Sequence, residues 1–315
     1  MLRIALQRLS QGVVVLLLVS AITFLLVGYA PGGPASLMRM DVTPEQREAL
    51  ARRLGLDQPV PVRYAQWLSG ALHGDFGTSL SSNEPVAVRI GQRLPNTLLL
   101  ASVALVASIA VGIPMGVVAA LRRNSPPDFV LGLLSVMGVS IPAFWLGIML
   151  ILTLSVSLRW LPSSGLASTG SEGDLGDRLA HLLMPALVLS TTVLPWVVRF
   201  TRSALLEVLG QDYVRTATAK GLSPRRVVYG HALRNALVPV VSIIGTLVPR
   251  LVGGAVVTEA VFGWPGMGRL AVEAANGRDY PLIVGITVVV AAVVVVSSVA
   301  VDLAYSWLDP RIRLT

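Results

Sequence analysis

The chain has no cysteine, one lysine (Lys220) among 25 basic residues, three histidines, and only 13% charged residues in a length of 315. Each shortage removes a class of chemistry. Without cysteine there are neither disulfides nor thiolate nucleophiles, and the sequence carries no mark of redox compartment. A phosphate-binding P-loop needs glycine followed by lysine, whereas Lys220 follows Ala219, so this chain supplies no standard ATP site. His73, His181 and His231 are dispersed, with no HExxH and no GxSxG elbow, which argues against a zinc or serine hydrolase and leaves no candidate metal site. A nucleic-acid surface would need far more charge, so the net +8 reads as an orientation signal instead.

Apolar side chains are abundant: 54% of residues are hydrophobic and the mean hydropathy is +0.72. Apolar runs cover residues 12–30, 97–121, 130–154, 182–198, 237–257 and 282–301, and only Arg250 places a charge within one. Each is near the roughly 20 residues that carry a helix across about 30 Å of hydrocarbon. An all-α integral membrane protein with six transmembrane helices, forming a single domain over 1–315, is therefore expected. Arg3 and Arg8 precede the first run, but that run is long for a signal peptide and Pro31 follows Ala30, so an uncleaved first span is expected. With a cytosolic N-terminus, the inside segments 1–11, 121–129, 199–236 and 302–315 hold 13 basic and 5 acidic residues, and the remainder holds 12 of each. That bias puts both termini in the cytosol.

The long outer segment, 31–96, has helix signals of its own. Thr43, Pro44 and Gln46 supply a cap, a first position and a capping box, and Gly55 closes a short amphipathic helix over 41–56. A second helix is expected over 62–72, followed by glycine turns in Gly74–Ser79 (GDFGTS). The segment either shields the ends of the membrane helices or offers a landing surface to an extracytoplasmic partner. Past the fifth run, a glycine-proline turn precedes a short outer helix expected over Met267–Asn276. Trp264 before it reads as an interfacial anchor.

The inside segment 199–236 is the most informative. Asp212 is expected to cap a helix over 213–220, Gly221 to end it in the left-handed conformation, and Ser223 and Pro224 to start the next helix. About eight residues do not make a stable helix in water, so this piece must pack against something. Tyr213 and Ala217 fall on one face, small or apolar Ala219, Gly221 and Leu222 permit close approach, and Arg215, Lys220, Arg225, Arg226 and Arg234 form a rim that could also meet anionic headgroups.

The stretch DYVRTATAKGLSPRRVVYGHALRNALVPV resembles the cytosolic coupling loop, often called the EAA loop, of permease subunits in bacterial ATP-binding-cassette importers, specifically the dipeptide, oligopeptide and nickel branch. GDFGTSL (74–80), RLPNTLLLA (93–101), GGAVVTEAVFGWPGMGRL (253–270), RDYP (278–281) and LDPRIR (308–313) extend the resemblance over most of the chain. Arg215, Thr216, Ala217 and Gly221 stand where the general motif has glutamate, two alanines and a glycine; the glutamate is absent, and Pro239 lies further downstream than usual.

The resemblance implies a type I ABC importer permease fold in the bacterial cytoplasmic (inner) membrane, with a coupling helix between spans 4 and 5. It implies a second homologous permease, expected as a heterodimer, two cytosolic ATPase subunits or one fused ATPase holding ATP and Mg²⁺, and an extracytoplasmic solute-binding protein. This chain itself would hold no cofactor and catalyse no reaction. Asp212, Tyr213, Arg215, Thr216, Ala217, Lys220, Gly221 and Leu222 would contact the ATPase. Trp264, Met267 and Asp279 would lie at an outer gate or partner surface.

The cargo would be a peptide, with nickel or another small solute as the alternative. An ion-coupled secondary transporter is the rival class, but such proteins usually keep acids within spans, and Asp128, Glu259 and Asp302 all fall near run ends. Arg250 either lines the path or snorkels towards the outer end of its run, near Val257. Pro239, Gly245, Pro249, Gly253 and Gly254 give that run the composition of a bent helix with close neighbours.

Overall fold

The computed structural model describes residues 2–29, 58–171 and 173–308. The amphipathic helix expected over 41–56 and most of LDPRIR lie outside these residues. Helices α1 (Leu2–Tyr29), α3 (Val86–Leu121), α9 (Leu233–Val261) and α11 (Tyr280–Leu308) carry the four stretches that are single-handedly long and apolar enough to cross a membrane. Helix α2 (Val60–Leu72) lies beside α1, where Ser20 and the Tyr64 hydroxyl are 2.9 Å apart.

The third and fourth apolar runs differ from the continuous spans expected. The third is α4 (Pro126–Ser140) followed by α5 (Ala143–Leu150) and a π-helical turn (Ile151–Ser157), bent by 100°. Pro142 explains the break: its ring disfavours helical backbone at the preceding residue, and Ile141 is extended (φ −81°, ψ 123°). The fourth is α6 (Leu175–Ser190) and α7 (Leu194–Leu209), bent by 53° across residues 191–193. Here Pro195 has no N–H to give to the Thr191 carbonyl. Counting each bent pair as one span gives six.

The second helix of the segment 199–236 and the fifth span form one continuous helix. Pro224 takes the first helical position as expected, and the helix then runs without interruption to Val261, through a π-helical stretch (Arg226–Ala232) and past Pro239 and Pro249.

The core lies where α3, α6, α7 and α9 meet. Leu100, Ala104, Leu182, Ala186, Leu189, Val197, Leu247, Leu251 and Ala255 close it, with Val193 of the break and Trp264 among them. Gly112 and Gly116 let α3 lie directly on Val197 and Thr201 of α7, a small-residue contact typical of membrane helices. By contrast, Val13, Val14, Leu17 and Leu18 of α1 and Val130, Leu133 and Leu134 of α4 are exposed, as lipid-facing side chains are.

Candidate coupling loop and outer joint

At the end of the bundle that carries the segment 199–236, helix α8 (Asp212–Ala219) has eight residues, and tertiary packing holds it. Val214 and Ala217 insert into a cluster with Val117 and Ala120 of α3, Leu205 of α7, and Val227, Ala232 and Ala236. The Tyr213 hydroxyl accepts a hydrogen bond from Asn235 Nδ2 at 2.8 Å. At the C-terminus, Gly221 N–H donates to the Thr218 carbonyl (2.9 Å) and Leu222 N–H to that of Ala217 (3.4 Å), a Schellman pair with Gly221 at φ +79° as the sequence predicts.

Two expectations about this helix change. Asp212 is not its cap: Gln211 holds that position with no side-chain bond, and Asp212 sits in the first turn, 3.6 Å from Arg215 in an exposed ion pair of little energetic weight. Ala217 does not share an open face with Tyr213, because it is turned into the core while Tyr213 stays 42% exposed. Tyr213, Arg215, Thr216, Lys220 and Gly221 are exposed; Leu222 is half-buried. A shallow depression of ≈ 400 Å³, lined by Leu209, Val214, Arg215, Thr218 and Ala219, opens beside them. The exposed Arg225, Arg226 and Arg234 complete the basic rim, and His231 is a surface residue.

At the opposite end, the outer one in the expected orientation, two buried carboxylates tie distant segments together in an outer joint. Glu259, in the last turn of α9, is fully buried. Its Oε1 accepts from Thr97 Oγ1 (2.6 Å), which in turn accepts from the Met267 N–H (2.7 Å). Its Oε2 accepts from the Arg269 N–H (3.0 Å), and the Gly268 N–H also bonds the carboxylate. Glu259 thus receives the start of helix α10 (Met267–Asn276). The approach is so close that a Cβ on Gly266 would stand 2.3 Å from Glu259 Oε1, and one on Gly268 2.4 Å from the Val256 Cα. Trp264 Nε1 donates to the Asn96 carbonyl (3.1 Å), and Asn96 Nδ2 donates to the Pro265 carbonyl (2.8 Å).

Asp279 is the second carboxylate. It accepts from Ser79 Oγ, Ser81 Oγ (2.8 Å) and the N–H groups of Leu80 and Ser81 (3.1 and 3.2 Å), with Arg89 Nη1 4.0 Å away. Burial pushes its carboxyl up, but these donors outweigh burial and hold it below the ordinary aspartate value. The ionised form is the stabilising one, so its contribution is full above an unfolded value of about 4 and is lost as pH falls through the lower folded value. Asp279→Asn is expected to lower the melting temperature of the purified protein by several degrees at pH 7, a loss of about 1–3 kcal/mol, and the gap to the parent should close below about pH 4. A gap independent of pH would contradict this role.

Trp264, Met267 and Asp279 are 1%, 2% and 0% exposed. They are therefore packed parts of this joint, and Trp264 is a core residue instead of an interfacial anchor. Burial removes their side chains as direct contacts for a docking partner in this conformation. The sequence alone assigns no role in a joint to Asn96, Thr97, Ser79, Ser81, Arg89 or Glu259, the last of which reads only as an acid near the end of a run. The available signal was a lone glutamate at the end of an apolar run, seven and nine residues before two glycines that lead into a helix.

Four of the quoted motifs, GDFGTSL, RLPNTLLLA, the stretch 253–270 and RDYP, converge on this joint. Residues 112–314 match the family described as binding-protein-dependent transport system inner membrane component, and residues 1–101 match the N-terminal family of such membrane components. The oligopeptide transport system permease protein AppB of Bacillus subtilis is 42% identical over 98% of both chains, and the dipeptide transport system permease protein DppB of Escherichia coli K12 is 40% identical over 99% of both. Among solved structures, the MetNI methionine ABC transporter in an inward-facing conformation has a chain of the same fold, with TM-score 0.58 and 20% identity over 70% of this chain and 96% of that one.

Proposed function

This chain belongs to the family of binding-protein-dependent transport system inner membrane components, and from that premise we propose that it forms half of a peptide translocation pathway driven by ATPase subunits docked on α8. It is a transport subunit and not an enzyme. The observation that carries the docking proposal is the construction of α8. One face is packed into the core, its outer face and Gly221 turn are open, and the chain has no P-loop. Energy for active transport then enters from partners, through Tyr213, Arg215, Thr216, Lys220 and the turn at Gly221 and Leu222. Ala217 and Val214 transmit motion to α3 and α7 from within.

Full-length identity to permeases named for oligopeptides and dipeptides supports a peptide cargo. The complete machine would hold this chain, a second homologous permease as heterodimer partner, two ATPase subunits or one fused ATPase binding ATP and Mg²⁺, and a solute-binding protein outside. Segments 199–236 and both termini would face the cytosol and 31–96 the outside, in keeping with the arginine bias.

The test is ATP hydrolysis by the reconstituted complex. Peptide-loaded binding protein is expected to raise the rate clearly above that with the unloaded protein. A complex stimulated by a nickel chelate and by no peptide would replace the substrate assignment. Uptake in a proton gradient without any ATPase subunit would overturn the importer reading itself.

A further inference from the structure

Where α9 passes the break between α6 and α7, two guanidinium groups share one indole. Arg250 Cζ stands 4.9 Å from the Trp196 ring centroid and Arg199 Cζ 6.0 Å, both within cation–π range, and Phe200 stacks beside the ring with centroids 6.5 Å apart. Neither arginine has a carboxylate within ion-pair distance among the described residues, and both are exposed.

The depth of this cluster follows from its neighbours. Arg202 grips Asp128, in the first turn of α4, through Nε and Nη2 at 2.7 and 2.8 Å, which ties the middle of α7 to the start of α4, beside the segment 121–129. Trp196 lies six residues outward of Arg202, about 9 Å of helix rise, and Arg250 lies nine residues inward of Glu259, about 13 Å below the outer joint. Arg250 therefore does not reach for the outer headgroups; it turns sideways onto the ring of a neighbouring helix.

Charge at that depth is costly and is kept where it meets water or an opposite charge. At the break the N–H groups of Thr191, Thr192 and Val193 are satisfied by carbonyls of the preceding turn, and the N-terminal end of α7 adds positive dipole at the same place. An anionic group passing through the pathway would supply the opposite charge these two arginines lack.

We propose that Arg250, Trp196 and Arg199 form a carboxylate-binding station in the translocation pathway, which engages the C-terminal carboxylate of a peptide as it passes the α6–α7 break. The two guanidinium groups offer forked donors to the carboxylate, and the indole holds both in place when the station is empty. This rests on the peptide-importer reading and adds to it a specific chemical selectivity within the membrane.

The test compares uptake of an oligopeptide free acid and its C-terminal amide by the complete complex in vesicles, with a peptide whose two forms the binding protein loads equally. The binding protein is common to all variants, so any change in the acid-to-amide ratio belongs to the permease. Arg250→Gln is expected to lower that ratio about fivefold, the loss of roughly one hydrogen bond to a charged group, and Arg250→Lys to restore most of it. An Arg250→Gln variant that slows both peptides alike would show that the arginine pairs with a carboxylate of the second permease, and that result overturns the proposal. A defect shared by both peptides that follows the anionic lipid content of the vesicles would assign the cluster to headgroups and also overturn it. Unchanged uptake of both would do the same. If the parent complex moves neither peptide, the importer reading for peptides fails first, and that outcome is distinguishable from all the others.

Discussion

Replacing Glu259 by leucine is expected to reduce uptake by about a hundredfold while the membrane helices still insert, because the outer joint loses the group that organises it. The Thr97 hydroxyl and the N–H groups of Gly268 and Arg269 all donate to this carboxylate, and leucine leaves them without an acceptor inside a fully buried site. Each orphaned donor costs about 1–3 kcal/mol, and a factor of one hundred needs only about 2.7 kcal/mol. Glutamine is expected to be harmful but less so. With its oxygen towards the two N–H groups at the start of α10, its NH₂ can use the second lone pair of the Thr97 oxygen, and the loss is confined to the Thr97 O–H, which gives up its acceptor. Protease accessibility of residues 262–279 in the purified complex checks the cause. Wild-type protection together with wild-type uptake in Glu259→Leu would remove Glu259 from the joint.

The second large effect is expected at Gly221. A Cβ there meets nothing within 4 Å, so a substitution is judged by backbone conformation alone. At φ +79° a β-branched residue is a strong outlier, whereas asparagine enters the left-handed region readily. Gly221→Val should therefore disrupt the end of α8 and lower the amount of peptide moved per ATP by tenfold or more, and Gly221→Asn should keep most of it. Coupled uptake unchanged in the valine variant would exclude the α8 turn as the point where hydrolysis is transmitted. Equal damage by valine and asparagine would mean that the partner needs the glycine's bare surface and not its conformation.

The contrast between these two sites explains what could be read from the sequence. The α8 turn is local: Gly221, Ser223 and Pro224 lie within four residues, and turn chemistry at that range is written in the order of residues. The Asp212 cap was misplaced by one residue because an aspartate serves a first turn almost as well as a cap. The outer joint is built from partners 162 residues apart (Thr97 and Glu259) and 200 apart (Ser79 and Asp279), so no window of sequence contains both halves. Hydropathy located all six apolar runs but passed smoothly over Pro142 and Pro195, since a proline inside an apolar run changes direction without changing polarity. Trp264 was assigned to the interface by residue type; its position was decided by the Asn96 carbonyl, which no composition rule reveals.

The unbroken helix from the coupling turn to the outer joint has a mechanical consequence. Its 36 residues from Arg226 to Val261 make a beam about 54 Å long, with the coupling turn just below one end and Glu259 near the other. A beam that rocks about its middle moves its ends in opposite directions, so a tilt of roughly 5° swings each end by about 2.4 Å. On the importer reading proposed above, narrowing at the inner face and widening at the outer face would then be one motion, and a single helix would keep the two ends of the pathway from opening together.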